Sequence, residues 1–234
     1  HKLITKGGIV LLLQTEHCVY EFSPEFSCWK FRSVPLSRVM ISVPHDRLFS
    51  THELSGFLEV RKKGVRGRDA HVWSVVKDVM MTVPVNVVRG TLPRDLVDYN
   101  RAWPVGINYY PLTQPEAETA LEDSRLYDIY QEYHAATESL LRDSIERWSQ
   151  EGCLLLDFHG FSKQPPYGQF DVILGTGNRR TVRSKVDREL AEALRSKGYS
   201  VLLPEDKGRG PTEDIYSADY TTRHYHEHSG VDTI

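Results

Sequence analysis

The chain has 234 residues, of which 40% are hydrophobic and 26% are charged, and its formal net charge is -3. This length suits a single α/β domain, and the composition is ordinary for a globular protein. The slightly negative charge offers no basic field to a phosphate backbone, and no apolar run approaches the roughly 20 residues that span a bilayer. The sequence therefore predicts neither a nucleic-acid partner nor a membrane protein.

Cysteine usage points to a reducing compartment. Cys18, Cys28 and Cys153 are too few and too scattered for a disulfide framework. Cys18 and Cys28 could pair, but the usual burial of free cysteines favours reduced thiols. We therefore interpret the protein as cytoplasmic; the sequence does not indicate an oligomeric state.

The chain divides into an N-terminal β extension, residues 1–37, packed on a core of residues 38–234. Gly7-Gly8 before Ile9–Leu13, followed by Val19–Phe22, predicts a hairpin-like β region. Ile9–Leu13 has the length of a strand rather than of the apolar part of a signal peptide.

From Val39 onwards, predicted strands alternate with predicted helices. The strands are Val39–Val43, Val83–Val88, Leu154–Phe158, Phe170–Leu174 and Tyr199–Leu203. The helices are Asp69–Met80 with Asp69 as its N-cap, Glu118–Gln150 and Ser184–Lys197, and residues 204–222 are predicted to be a long loop. This order predicts an α/β fold with a largely parallel sheet covered by helices on both faces.

Two histidines follow predicted strands directly. His45 comes after Val39–Val43, and His159 comes after Leu154–Phe158. In open α/β sheets the reactive groups gather at the carboxyl ends of the strands, so neighbouring strands would bring the two imidazoles together. Imidazole is a common zinc ligand, and a catalytic zinc takes three protein ligands. The alternative is two ordinary strand-end histidines bound to backbone.

A carboxylate is the usual third ligand of such a zinc, and three aspartates are candidates: Asp46, Asp69 and Asp157. Asp157 lies two residues before His159 on a strand, so both side chains point to the same side. It is therefore also a candidate to orient an imidazole without touching the metal.

Polar residues are dense between the two histidines, in the stretch RDLVDYNR. Arg94, Asp98, Asn100 and Arg101 surround Val97 there. A guanidinium that grips a carboxylate with two parallel hydrogen bonds, beside an amide donor, is a natural anchor for a carboxylate-bearing substrate. The alternative is a solvated loop with incidental ion pairs.

These features resemble the N-formylglutamate amidohydrolase family and, more distantly, the zinc carboxypeptidases. The more specific motifs are VDYNR at Val97–Arg101 and LDFHG at Leu156–Gly160. The weaker matches, in the family's order, are SVPHD at Ser42–Asp46, RDAHVW at Arg68–Trp73, YHAATESLL at Tyr133–Leu141, FDVILGTGNRRT at Phe170–Thr181 and GVDTI at Gly230–Ile234.

The resemblance implies a three-layer α/β/α fold with a mixed, mostly parallel central sheet, phosphorylase/hydrolase-like and of the zinc carboxypeptidase type. It implies Zn2+ on His45 and His159, and a substrate carboxylate on Asn100 and Arg101. It further implies that Arg94 polarises the scissile carbonyl or holds a second carboxylate. The carboxypeptidases carry a glutamate three residues after the first histidine, where this chain has Leu48. We therefore expect Asp69 to be the third ligand in preference to Asp46.

The resemblance also implies a general-base glutamate on a last strand, a few residues beyond Gly230–Ile234. We expect it to follow Ile234, with Glu227 as the candidate within the sequence. The stretch HYHEHSG holds His224, His226 and His228, which would share one face if it were a strand; an exposed loop is the favoured interpretation. His226 is the residue of this stretch that we expect to line the substrate pocket.

The predicted function is zinc-dependent hydrolysis of an amide bond in an N-acyl amino acid. The substrate would be a small molecule or peptide with a free carboxylate. The alternatives are a zinc carboxypeptidase-like peptidase or cell-wall peptide amidase, and a catalytically impaired relative that still binds carboxylates.

Overall fold

The computed structural model describes residues 2–5, 8–25, 27–46, 69, 71–92, 94, 97–103, 124–161, 164, 168–203, 218–228 and 230–234. The strands are β1 (Lys2–Thr5), β2 (Gly8–Gln14), β3 (Val19–Pro24), β4 (Cys28–Val34), β5 (Val39–Val43), β6 (Asn86–Gly90), β7 (Cys153–Asp157), β8 (Val172–Ile173), β9 (Val201–Leu202) and β10 (Val231–Thr233). The helices are α1 (Val72–Thr82), α2 (Ser124–Arg147), α3 (Val186–Ser196) and α4 (Tyr220–His226).

Eight strands form one mixed sheet in the order β1-β2-β3-β4-β6-β5-β7-β10. The strands from β1 to β4 pair antiparallel, as does β4 with β6. The strands β6, β5, β7 and β10 are parallel to one another, and β8 and β9 form a separate parallel pair. The predicted α/β fold with a mixed central sheet is confirmed. The N-terminal strands continue the same sheet rather than lying across it.

Alternate residues of the central strands enter two different cores, which is why helices cover both faces. Met40 and Val88 pack in a cluster with α2. Ile41 and Val87, their chain neighbours, pack in a second cluster with α1. A third cluster holds α3 against β8 and β9. The apolar runs of β5 and β6 are therefore buried on both sides, as parallel strands usually are.

The first helix begins later than predicted. Its N-cap is His71, in the left-handed conformation, and Asp69 does not cap it. The following strand also begins later, at Asn86 instead of Val83, because Val83 ends α1 and Pro84 has no N–H for a sheet ladder. Residues 118–123 of the predicted long helix, and residues 204–217 of the predicted loop, lie outside the described residues.

The first part of the histidine-rich stretch, His224–His226, is helical, so the interpretation of the whole stretch as a loop was wrong there. His224 and His226 lie on α4, which buries Thr221, Thr222 and Tyr225 on its inner side. The alternation of histidines suggested a strand, but the buried residues recur at helical spacing. The three cysteines are free and buried, as expected. No helix among the described residues is long and apolar enough to cross a membrane.

Candidate metal centre

The two strand-end histidines meet at one edge of the sheet. Strands β5 and β7 are direct parallel neighbours, with Ser42 opposite Asp157. Their carboxyl ends therefore lead side by side into His45 and His159. The Nδ1 atoms of the two imidazoles lie 3.3 Å apart.

Asp69 completes a three-residue cluster with these histidines. Its backbone N–H donates to the carbonyl of His45 at 2.7 Å, which fixes the residue beside the end of β5. Its Oδ2 atom lies 2.9 Å from Nδ1 of His159 and 3.7 Å from Nδ1 of His45. The aspartate predicted to cap a helix instead turns its carboxylate towards both imidazoles.

The spacing of the three donor atoms suits a tetrahedral zinc. Their mutual distances are 2.9, 3.3 and 3.7 Å. Ligands bound at 2.0–2.1 Å in a tetrahedron lie about 3.3–3.4 Å from one another. Two imidazole nitrogens and one carboxylate oxygen are also a donor set found in catalytic zinc sites, which leave a fourth position open. The residues present therefore fit this metal.

Each imidazole is held from behind by a second carboxylate. Nε2 of His45 lies 2.7 Å from Oδ1 of Asp98, and Nε2 of His159 lies 2.9 Å from Oδ2 of Asp157. At His45 the acceptor on Nε2 keeps the proton there, so the neutral ring presents the lone pair of Nδ1 to the cluster. This carboxylate–histidine pairing is typical of zinc ligands. The role predicted for Asp157 agrees with its position.

Access to the cluster is one-sided. The side chain of His45 is fully buried and that of Asp69 is 9% exposed, whereas that of His159 is 30% exposed. A ligand would therefore approach from the side of His159. Asn100 is buried next to the same imidazole, with its Nδ2 atom 2.9 Å from Nε2 of His159.

Asp98 links the cluster to the VDYNR segment. Besides His45, its carboxylate accepts hydrogen bonds from Nε of Arg94 and from the backbone N–H of Asn100, both at 2.9 Å. Burial alone would raise the pKa of Asp98, but His45 and Arg94 lower it to about 2. The side chain is fully buried, so it is a fixed negative charge behind the imidazole.

The cluster strongly perturbs its own ionisable groups. Burial would raise the pKa of Asp69, yet the hydrogen bonds and charges of His159 and His45 hold it well below its usual value. Burial would lower the pKa of His159, but the charges and hydrogen bonds of Asp157 and Asp69 raise it to about 10. In the metal-free protein the cluster therefore favours a proton on His159.

Ser42 and Tyr133 support Asp157, and sequence analysis did not identify either. The Ser42 hydroxyl donates to Oδ1 of Asp157 at 2.6 Å and lies 2.7 Å from the Tyr133 hydroxyl. The available signal was Ser42 itself, a polar residue inside the apolar strand VMISV. A buried hydroxyl in such a strand needs a polar partner.

Asp46, the other candidate ligand, is engaged elsewhere. Its carboxylate accepts hydrogen bonds from Nε and Nη2 of Arg89, the former at 2.9 Å. The Arg89 guanidinium lies over the rings of Trp73 and Trp29, at 4.3 and 4.8 Å from their centroids. This arrangement anchors Asp46 itself, and Leu48 lies outside the described residues.

The residues predicted to bind substrate lie beside the cluster and make contacts of their own. Asn100 accepts a hydrogen bond from the backbone N–H of Thr221 at 2.8 Å. Nη1 of Arg101 donates to Oδ1 of Asp219 at 2.5 Å. Both partners lie at the start of α4. Sequence analysis missed Asp219, which lies within residues 204–222, the stretch predicted to be a loop; residues 220–222 of that stretch instead begin α4.

The last two predicted site residues are His226, expected to line the substrate pocket, and Glu227, the candidate general base. Nδ1 of His226 lies 3.1 Å from the carbonyl of Val231, and the His226 carbonyl accepts from Arg183 at 2.7 Å. Burial and the charge of Arg183 lower the pKa of His226. Glu227 is exposed at the end of α4, and its carboxylate makes no ion pair with any described residue.

Comparisons with known proteins identify the family of the chain. A family model described as N-formylglutamate amidohydrolase matches residues 37–234. An N-formylglutamate amidohydrolase from Ralstonia eutropha JMP134 is similar in structure, with a TM-score of 0.53 and 19% identity over 82% of this chain and 74% of that one.

A gene product of Agrobacterium tumefaciens, Atu2144, is similar with a TM-score of 0.56 and 10% identity over 89% of this chain and 83% of that one. At these identities the two structures support the fold alone. No curated protein matches the chain. The family match nevertheless covers most of its length, and the chain belongs to the N-formylglutamate amidohydrolase family, a family of amide-bond hydrolases.

Proposed function

We propose that the protein is a zinc-dependent hydrolase that cleaves the amide bond of an N-acyl amino acid. The observation that carries the proposal is the cluster of His45, Asp69 and His159, whose donor spacing fits zinc and whose two imidazoles are each backed by a carboxylate. Membership of the family supports an amide as the bond that is cleaved.

Zinc on these three residues would supply Lewis acidity, which lowers the pKa of water and polarises an amide oxygen. The protein's part is to hold the ligands ready. Asp98 and Asp157 each hold one imidazole in place through its Nε2 atom, and Ser42 holds Asp157 in place. Arg94 neutralises part of the charge of Asp98, and its predicted action on the scissile carbonyl remains a prediction.

The substrate would place its free carboxylate near Arg101 and its amide near His159, the exposed side of the cluster. Within the sequence, Glu227 at the exposed end of α4 remains the predicted general base. Strand β10 is parallel to β7, and the backbone N–H of Asp157 donates to the Ile234 carbonyl at 2.8 Å, so Ile234 lies at the edge of the sheet that holds His159.

Metal analysis of variants tests the proposal. Protein purified without chelator should carry one zinc, and His45→Ala, Asp69→Ala and His159→Ala should each lose most of it. Asp46→Asn is the matched control, because Asp46 is adjacent to a ligand but bound to Arg89. Full zinc content in the first three variants would disprove the site. Zinc retained without hydrolysis of N-formyl-L-glutamate or of peptides would instead indicate a protein that only binds.

A further inference from the structure

Asp219 pairs with Arg101, the residue whose guanidinium we expect to bind the substrate carboxylate. Its Oδ1 atom lies 2.5 Å from Nη1 of Arg101 and also accepts the backbone N–H of Tyr220 at 2.9 Å, as the N-cap of α4. The two side chains are 30% and 31% exposed, so a dissolved ligand can approach the pair.

The position of Asp219 is fixed rather than incidental. Its N-cap hydrogen bond ties the carboxylate to the start of α4. That start is joined to the VDYNR segment a second time, through the hydrogen bond from Thr221 to Asn100. Asp219 therefore stays beside Arg101 without depending on their ion pair. Nε of Arg101 also lies 4.0 Å from Oδ2 of Asp98, a second negative group.

We propose that Asp219 is a specificity-determining residue that competes with a ligand carboxylate for Arg101. The inference rests on the proposed function, in which Arg101 binds that carboxylate. An incoming carboxylate must either displace Asp219 from Nη1 or bind beside its negative charge. Both routes weaken the binding of acids and leave uncharged ligands unaffected, because like charges repel.

Asp219→Asn separates the charge of the residue from its role as a cap. Asparagine is as good an N-cap as aspartate, so α4 should remain intact. The affinity for a carboxylate should rise about two- to five-fold, the range expected for a partly exposed ion pair. The rise should shrink at high salt, because exposed charges are screened.

The measurement is the dissociation constant of the zinc-loaded protein for L-glutamate, a reaction product of an N-acylglutamate, and for its amides L-glutamine and L-isoglutamine. Calorimetry on these ligands does not depend on turnover. Each amide lacks one of the two carboxylates of L-glutamate. Asp219→Asn should tighten the binding of L-glutamate and of the amide that still carries the carboxylate bound by Arg101. The amide in which that carboxylate is replaced should bind with an unchanged dissociation constant. Asp219→Ser, a second uncharged cap, replaces Asp219→Asn if that variant does not fold.

Asp171→Asn is the control, because Asp171 is an exposed aspartate that also accepts a backbone N–H, that of Ser200, beside the β8–β9 pair. It should leave all three constants unchanged. Unchanged or weaker binding of L-glutamate by Asp219→Asn would overturn the inference, provided that Arg101→Lys weakens the binding of L-glutamate more than that of its amides. If Arg101→Lys shows no preference between acid and amides, the carboxylate site of the proposed function itself is wrong.

Discussion

Replacing Asp98 by asparagine should weaken zinc binding although Asp98 is not among the proposed ligands. Asparagine has the same shape and still offers one oxygen to Nε2 of His45 and to the N–H of Asn100. It removes the charge that supports the imidazole, and its NH2 group would face Nε of Arg94, a donor. The substitution therefore tests the carboxylate behind the ligand rather than the ligand itself.

The size of the effect follows from the contacts of Asp98. Loss of a carboxylate behind a ligating histidine lowers metal affinity by roughly 10- to 100-fold. The pKa of Asp98 falls from 3.8 to about 2 in the folded protein, which corresponds to about 2–3 kcal/mol of stability. Because this pKa is depressed, that stability is present above about pH 4 and is lost as the pH falls through about 2. At neutral pH the variant should lose all of it.

Two measurements are needed, a zinc titration in competition with a chromophoric chelator and urea unfolding of the metal-free protein. Asp78→Asn is the control, because Asp78 is exposed on α1 away from any described ion pair. If Asp98→Asn folds and binds zinc as tightly as the wild-type protein, Asp98 does not support the ligand. Weaker zinc binding with an unchanged free energy of unfolding would show that the charge acts on the metal site alone.

Three further predictions concern other groups. Arg101→Lys should weaken binding of a ligand carboxylate by about 2–5 kcal/mol. Amidation of that carboxylate should not add to this loss, because both changes remove the same contact. Calorimetry of the wild-type protein and of Arg101→Lys with the acid and the amide forms of one ligand measures the four affinities that this comparison needs. Burial, followed by the charge of His224, lowers the pKa of His134 to about 4. As the pH falls from about 6.5 to 4, the unfolded chain takes up a proton at this histidine and the folded protein does not, so the free energy of unfolding should fall by about 3 kcal/mol. Urea unfolding should show this loss in the wild-type protein and not in His134→Gln. Since the pKa of His159 is about 10, zinc binding at pH 7 should release about one proton, measurable by calorimetry in buffers of different ionisation enthalpy.

The parts of the fold that sequence predicted are those set by local periodicity. The apolar run Val39–Val43 predicted a buried strand because both of its faces meet a core. The apolar residues at helical spacing predicted a helix over Glu118–Gln150, and Ser124–Arg147 is helical with one side buried. Boundaries were less accurate. Val83 is bonded to Val79 as the end of α1, and Asp69 is bonded to His45, which is distant in sequence.

The parts of the site that sequence could not predict depend on which strands become neighbours. His45 and His159 were identifiable because each follows a strand, and parallel strands end at one edge. Asp98 was visible as a polar residue, but its hydrogen bond to His45 spans 53 residues. Asp219 contacts a residue 118 positions away, and nothing local to its own segment indicated that contact.

The metal centre and its unusual proton affinity have one physical cause. Three carboxylates, Asp69, Asp98 and Asp157, surround two imidazoles, while Arg94 balances only part of their charge. In the metal-free protein the missing positive charge is a proton on His159, which is why its pKa rises to about 10. A divalent cation bound to the same donors would satisfy the carboxylates more fully and release that proton. Neutralising Asp157 should therefore lower both the pKa of His159 and the affinity for zinc, whereas a loss of only one of them would separate the two effects.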